Sequence, residues 1–365
     1  MGDVTYVLYS VSHKRPDHAT RVDIGQENAS DHPIAQIGWR CFKETRMKMT
    51  KGLALTGLLA LVVAAMPAMA QQPRTIKVGT FKLIHMMAPI WWEQYLPKDV
   101  KVEIVYFASS LDIEKAVVND NIDFGQYGTT AALIAGAQGD PQVIVADAAR
   151  KGAAIVVKSD SPIKTIAELK GKKVATFPGA LQDVLLRAKL QQAGLDPNKD
   201  LQLIKVGWSE MPLALQRGDV DAYVGSEPHP SLAISEGYGR ILSYPYDTPI
   251  GSLNSILATS KTMAEKNPQL VQAVVCAQMK ANAHMQANQD EWVDTGRKLF
   301  GFDTKVTKAS MVNIGIGWEL TDEYVASFKA MGKALVDLKI IDKQPDYAAM
   351  LDQRFYKVAK GGGCK

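Results

Sequence analysis

A chain of 365 residues, 47% of them hydrophobic and 22% charged, has material for about two globular domains. Its 42 Lys and Arg stand against 38 Asp and Glu, a formal charge of +4, with no basic run. That balance excludes the electrostatic footprint of a nucleic-acid binder or a membrane-surface protein.

Residues 1–46 are polar and mixed, without a period. Residues 47–72 then read MKMTKGLALTGLLALVVAAMPAMAQQ. Arg46, Lys48 and Lys51 supply a basic start, and Leu53 to Met66 form an apolar stretch broken only by Thr56 and Gly57. Ala68-Met69-Ala70 offers a small-x-small cleavage pattern. The apolar run is nearer the roughly 7–15 residues of a signal peptide than the roughly 20 of a membrane span. The expectation is a signal peptide over 47–70 that sends the protein to the periplasm, with an uncleaved anchor as the alternative. No Cys follows the apolar run, which argues against a lipoprotein anchor. Residues 1–46 then read as an extension upstream of a true start at Met47 or Met49, the alternative being a genuine extension. Cleavage after Ala70 removes eight basic and six acidic residues, leaving 34 against 32.

From Thr75 onward, short β-like runs alternate with helical ones. Strands are expected at 76–81, 102–107, 122–125, 143–146, 155–157, 174–177, 201–206, 222–224 and 253–259. Helices are expected after Pro89, at 112–118, 129–137, 166–170, 181–193, 211–217 and 231–236, and through most of the chain from Pro268. Such alternation predicts parallel α/β sheets. Asn119-Asp120-Asn121-Ile122-Asp123-Phe124 and Arg217-Gly218-Asp219-Val220-Asp221-Ala222 echo each other, each leading to a glycine, Gly125 and Gly225. They read either as two ordinary αβ turns tied by an aspartate or as the mark of two similar lobes.

Catalytic equipment is absent from the pattern. There is no Gly-x-Ser-x-Gly elbow, no phosphate loop and no dinucleotide fingerprint. Beyond residue 70 only His85, His229 and His284 remain, widely spaced, so no metal and no cofactor is expected. His284 reads as a surface residue, and Trp91 and Trp92 as core. Cys276 and Cys364 are the cysteines left after cleavage. An oxidising compartment permits them to pair; a buried thiol and a frayed Gly-Gly-Gly-Cys tail is the other reading.

The run Lys158-Ser159-Asp160-Ser161-Pro162-Ile163-Lys164-Thr165-Ile166-Ala167-Glu168-Leu169-Lys170-Gly171-Lys172-Lys173-Val174-Ala175 resembles the entry into the second lobe of periplasmic binding proteins of the nitrate/sulfonate/taurine importer family. Gln191-Gln192-Ala193-Gly194-Leu195, Gln216 to Ala222, Glu227-Pro228 and Asn267-Pro268 are similar to further landmarks of that family. The similarity covers roughly residues 74–290. It implies a two-lobed type II periplasmic binding protein fold of class α/β, with two strand crossovers and C-terminal helices. Lobe one would be 74–157 plus 254–365, lobe two 158–253, with crossovers at 155–158 and 253–259. It implies a monomeric protein that captures a small organic anion and passes it to an inner-membrane ABC permease with its ATPase.

Helix N-termini at the strand ends supply free N–H groups and partial positive charge for such an anion. Ser109 and Ser110, then Gly128, Thr129 and Thr130, then Gly179, Ala180 and Gln182 occupy three such loops, each of which also reads as an ordinary N-cap. Phe81, His85, Trp208 and Glu227 are expected on the cleft walls, because open α/β sheets bind ligands past the carboxyl ends of their strands. At Gly179-Ala180 the sequence departs from the Gly-Ser or Gly-Thr usual in sulfonate and taurine binders, which removes one hydroxyl donor. A sulfonate or a carboxylate is the expected cargo; an aromatic wall does not suit nitrate. The rival readings are an enzyme of the thiamine-pyrimidine synthase type on the same fold, a ligand sensor serving no transporter, and the effector half of a transcription regulator.

Overall fold

Ile104 and Val105 are neighbours in sequence yet enter different hydrophobic layers, as the two-residue period of a strand requires. The same alternation separates Leu257 from Ala258, and Val156 from Val157. The computed structural model, which describes residues 74–364, accordingly contains two sheets, each with an apolar layer on both faces. The signal peptide expected at 47–70 and the extension at 1–46 lie outside the described residues.

In chain order the strands are β1 (Arg74–Thr80), β2 (Val100–Tyr106), β3 (Phe124–Gly128), β4 (Gln142–Lys151), β5 (Ala153–Lys158), β6 (Lys173–Thr176), β7 (Gln202–Lys205), β8 (Ala222–Ser226), β9 (Gly239–Ser243), β10 (Leu253–Ser260) and β11 (Ile314–Ile316). The first sheet runs β11-β4-β10-β3-β1-β2, and the second β7-β6-β8-β5-β9. In each sheet a parallel core is joined by an antiparallel strand arriving from the other lobe, β10 in the first and β5 in the second. Helices α1 (Ser110–Val118) and α2 (Thr129–Gln138) follow β2 and β3. In the second lobe α3 (Leu181–Gln192), α4 (Met211–Arg217) and α5 (His229–Ser235) follow β6, β7 and β8. After β10 come α6 (Lys261–Lys266), α7 (Pro268–Ala287), α8 (Gln289–Phe300), α9 (Thr304–Ser310), α10 (Asp322–Asp337), α11 (Tyr347–Met350) and α12 (Arg354–Lys360). None of the described helices is long and apolar enough to cross a membrane.

Three details differ from the reading of the sequence. The first crossover is Lys151-Gly152, both with left-handed φ of 59° and 80°, rather than 155–158. β5 is therefore a strand of the second sheet, and the return passes through residues 244–252 before β10. The strands β9 and β11 were not foreseen, since Gly-Arg-Ile-Leu-Ser and Ile-Gly-Ile are too short to show a period; both pair at sheet edges. Finally, α9 packs on α5, with Lys305 Nζ donating to the Ser235 carbonyl at 3.2 Å, although 254–365 was expected to belong wholly to lobe one.

The internal echo is structural. Asp123 Oδ2 accepts from the Lys77 N–H at 2.7 Å, and Asp221 Oδ2 accepts from the Lys173 N–H at 2.8 Å. The aspartates, just before β3 and β8, thus tie each of these strands to its parallel neighbour, β1 or β6. The two neighbours share a sequence as well: Lys77-Val78-Gly79-Thr80-Phe81 against Lys173-Val174-Ala175-Thr176-Phe177. Their registers agree, Val78 facing Phe124 and Val174 facing Ala222. Both readings of the echo hold at once: the aspartates do tie the backbone, and they do so in two similar lobes.

Cys276 of α7 and Cys364 are joined by a disulfide, with Cα atoms 5.4 Å apart. The tail is ordered up to that point, since Gly361, Gly362 and Gly363 donate their N–H groups back to Lys357, Ala359 and Val358. Trp91 and Trp92 are core residues, Trp92 Nε1 donating to Gln278 Oε1 at 3.0 Å.

Candidate functional site

The carboxyl ends of β1, β2 and β3 in lobe one, and of β6, β7 and β8 in lobe two, carry nearly every residue expected to touch ligand. The apolar layer between the lobes contains Leu181, Val184 and Leu185 of α3 together with Ala131, Ala132 and Leu133 of α2 and Tyr324 and Phe328 of α10. The start of α3 therefore sits against lobe one, in the same layer as α2.

Two of the three helix starts are open. α2 is preceded by Gly128 and α3 by Ala180, and neither residue caps its helix with a side chain. Their first N–H groups are left for a ligand or water, where the helix dipole favours negative charge. Thr130 and Gln182, in the first turns of these helices, are nearly buried. By contrast, α1 is self-capped, Ser109 Oγ accepting from the Asp112 N–H at 3.2 Å. Ser110 Oγ accepts from the Gly128 N–H at 3.1 Å, and Thr129 Oγ1 donates to the Asn254 carbonyl at 2.8 Å. These three hydroxyls shape the lobe-one loops.

Asp183 organises the lobe-two loop. Its buried carboxylate accepts from Thr176 Oγ1 at 3.0 Å, the Gly179 N–H at 3.1 Å and Arg187 Nε at 3.0 Å. Gly179 turns the chain at a φ of 80° between the strand and the helix. A single side chain thus joins the end of β6, the turn and the second turn of α3. Behind it, cavities of about 450 and 410 Å³ lie between α3 and α10, lined by Arg187, Asn198, Asp337 and Leu338. The smaller one reaches Gly179.

The wall residues divide. Phe81 is half-buried against the interlobe layer, and Trp208 is stacked on Phe177 at 5.5 Å between ring centroids. His85 is 3% exposed, and its Nδ1 has no hydrogen-bond partner. Burial lowers its pKa to about 4, so the ring is neutral at physiological pH and offers no cationic donor. Glu227 is occupied elsewhere. Its carboxylate accepts from Asn313 Nδ2 at 3.1 Å and from the Ser231 N–H at 3.2 Å, while its own N–H donates to the Gly152 carbonyl at 2.7 Å. Burial raises its pKa, against the lowering effect of those donors. It belongs to the hinge.

The hinge cluster was not visible in the sequence. Asn313 Oδ1 accepts from Tyr246 Oη at 2.8 Å, and Tyr246 Oη also meets the N–H and carbonyl of Ala153. The Gly152 N–H donates to the Asn313 carbonyl at 2.7 Å. Both crossovers are joined here to Glu227 at the end of β8. An ion pair in lobe one was missed too: half-buried Arg150 donates from Nε to the buried Asp147 carboxylate, and its guanidinium lies over the Tyr324 ring at 5.6 Å. Desolvation pushes the Asp147 carboxyl up to about 7. No three His, Cys, Asp or Glu side chains cluster as metal ligands among the described residues.

Two α/β sheets exchanging one antiparallel strand each, with helix starts and strand ends of both collected between them, define the two-lobed binding-protein class. The chain belongs to the NMT1-like family, whose model matches residues 69–294. It is 30% identical over 259 residues, 70% of this chain and 80% of the relative, to a protein of Escherichia coli K12 named for binding aliphatic sulfonates. A Bacillus subtilis protein of the same name is 27% identical over 273 residues, 74% of this chain and 82% of the relative. Among solved structures, the periplasmic aliphatic sulphonate binding protein SsuA of Escherichia coli superposes with a TM-score of 0.69 at 24% identity, covering 77% of this chain and 93% of its own. The nitrate/sulfonate/taurine resemblance carried by the sequence motifs agrees with these relatives.

Proposed function

We propose that this protein is a periplasmic solute-binding protein that closes on a small organic anion, a sulfonate or carboxylate, and delivers it to an ABC import permease with its ATPase. The observation that carries the reading is the pair of uncapped helix starts, Gly128-Thr129-Thr130 and Gly179-Ala180-Leu181, at the carboxyl ends of β3 and β6 on two helices that share one apolar layer. Backbone N–H groups there, with Thr130 and Gln182, supply donors to an oxyanion without a fixed counter-charge. The relatives named for sulfonate binding support the same class of cargo.

A thermal-shift screen of the purified protein against sulfonates, carboxylates, nitrate and thiamine precursors tests it. A cargo at about 100 times its dissociation constant adds about 2.7 kcal/mol of stability. One chemical class raising the melting temperature is the expected outcome. A response to thiamine precursors alone would move the protein toward the enzyme-like branch of the fold.

A further inference from the structure

The internal repeat places a phenylalanine at the same position in each lobe. Phe81 follows Thr80 at the end of β1, and Phe177 follows Thr176 at the end of β6. Both strands lie one place in from a sheet edge, and both rings stand at the carboxyl ends of the strands, where the ligand cleft opens. Phe81 touches the layer that also holds the first residues of α3, four positions beyond Phe177. Phe177 is 36% exposed, and Trp208 stacks on it at an interplanar angle of 24°.

A cation accompanies the aromatic pair of lobe two: Lys205 Nζ, on an exposed side chain, lies 5.5 Å from the centroid of Phe177. An aliphatic tail would need only apolar area. A stacked aromatic pair beside an exposed ammonium group suits a flat and negatively charged partner, which packs against the rings and attracts the cation.

We propose that the cargo is an aromatic anion, an arenesulfonate or aromatic carboxylate, whose ring is held between Phe81 and the Phe177–Trp208 stack. This rests on the organic-anion reading and narrows it to one chemical class. The test is calorimetric titration of the protein with benzenesulfonate, 4-toluenesulfonate and benzoate against hexanesulfonate and hexanoate. Phe177→Leu and Trp208→Leu are titrated alongside, with melting temperatures confirming that both fold. Aromatic anions are expected to bind at least tenfold more tightly than alkyl anions of like size, and each leucine variant to reduce that ratio to threefold or less. Equal affinity for the two series, or a ratio untouched by both variants, overturns the aromatic assignment while leaving the organic-anion reading standing. Binding of neither series to the wild-type protein overturns both.

Discussion

His85 shows how one buried side chain sets a pH dependence. Its pKa falls from 6.5 to about 4 because burial disfavours the imidazolium. The unfolded chain therefore takes up a proton before the folded one does. The associated stability is fully present above pH 6.5 and is lost as the pH falls from 6.5 toward 4, by about 3 kcal/mol. Asp147 and Glu114 run the opposite way: with pKa values raised to about 7, they favour the folded state below the ordinary carboxylate range and lose that advantage as pH rises through 7. His85→Phe should remove this contribution, so that on going from pH 6.5 to 4 the variant loses less stability, or gains more, than the wild type in urea titrations. An unchanged slope would mean that the ring is solvated in the folded protein. At Asp183 the outcome is different in kind, because its three bonds fix a turn beside the proposed ligand site. Asp183→Ala should cost about 2 kcal/mol of stability and also weaken cargo binding at 25 °C, where the variant remains folded. Full affinity in a folded Asp183→Ala protein would remove its positioning role.

At the scale of elements, the βα alternation was legible because each strand is short, apolar and followed by a turn and a 3.6-residue pattern. The strand after Ile76, the helices at 129 and 181, and the long helix from Pro268 all form near the expected bounds. The crossover was not legible, for a physical reason. β4 and β5 follow one another as nearly continuous buried strands, and only the left-handed pair Lys151-Gly152 separates the two sheets. Glu227 misled in a similar way: an acid at a strand end looks like a cleft wall, and only the distant Asn313 reveals its use. The Phe81 and Phe177 equivalence was present in the sequence as Lys-Val-x-Thr-Phe, a repeat short enough to pass unnoticed. The pairing of Cys276 with Cys364 was left open by the sequence, and the folded-back glycine tail decides it. The disulfide closes a loop with a sequence separation of 88. Reducing it, or making Cys276→Ser, should lower stability by about 2–4 kcal/mol with little effect on cargo affinity, as both cysteines belong to a different apolar layer from the one that holds α2 and α3. Denaturant curves with and without reductant measure this, and coincident curves would show that the bridge constrains nothing.

For the whole molecule, binding and lobe motion meet at the hinge. Asn313 lies in the C-terminal segment, Tyr246 in the return crossover, Gly152 in the outward crossover and Glu227 in lobe two, and hydrogen bonds join them all. Neighbouring α9 leans on α5 of lobe two, so the segment 304–313 acts as a third, non-covalent connection between the lobes. Asn313→Ala deletes the donor to Glu227 Oε1 and the acceptor from Tyr246 Oη at once. A buried carboxylate oxygen left without its partner costs about 1–3 kcal/mol. That cost is avoided if the lobes open and water reaches Glu227, so the variant should shift toward an open state. Apparent affinity scales with the fraction of molecules able to close, and about tenfold weaker binding follows from a shift of about 1.4 kcal/mol. Small-angle scattering should show a larger radius of gyration for the unliganded variant, collapsing to the wild-type value when cargo is added. Adding Glu227→Ala to Asn313→Ala separates the causes: with the carboxylate gone no buried oxygen is left unpaired, so the double variant should open the lobes less than Asn313→Ala alone. If Asn313→Ala lowers the melting temperature yet leaves both the scattering profile and the affinity as they were, the cluster is packing alone, and the lobes are held by the α2–α3–α10 layer instead.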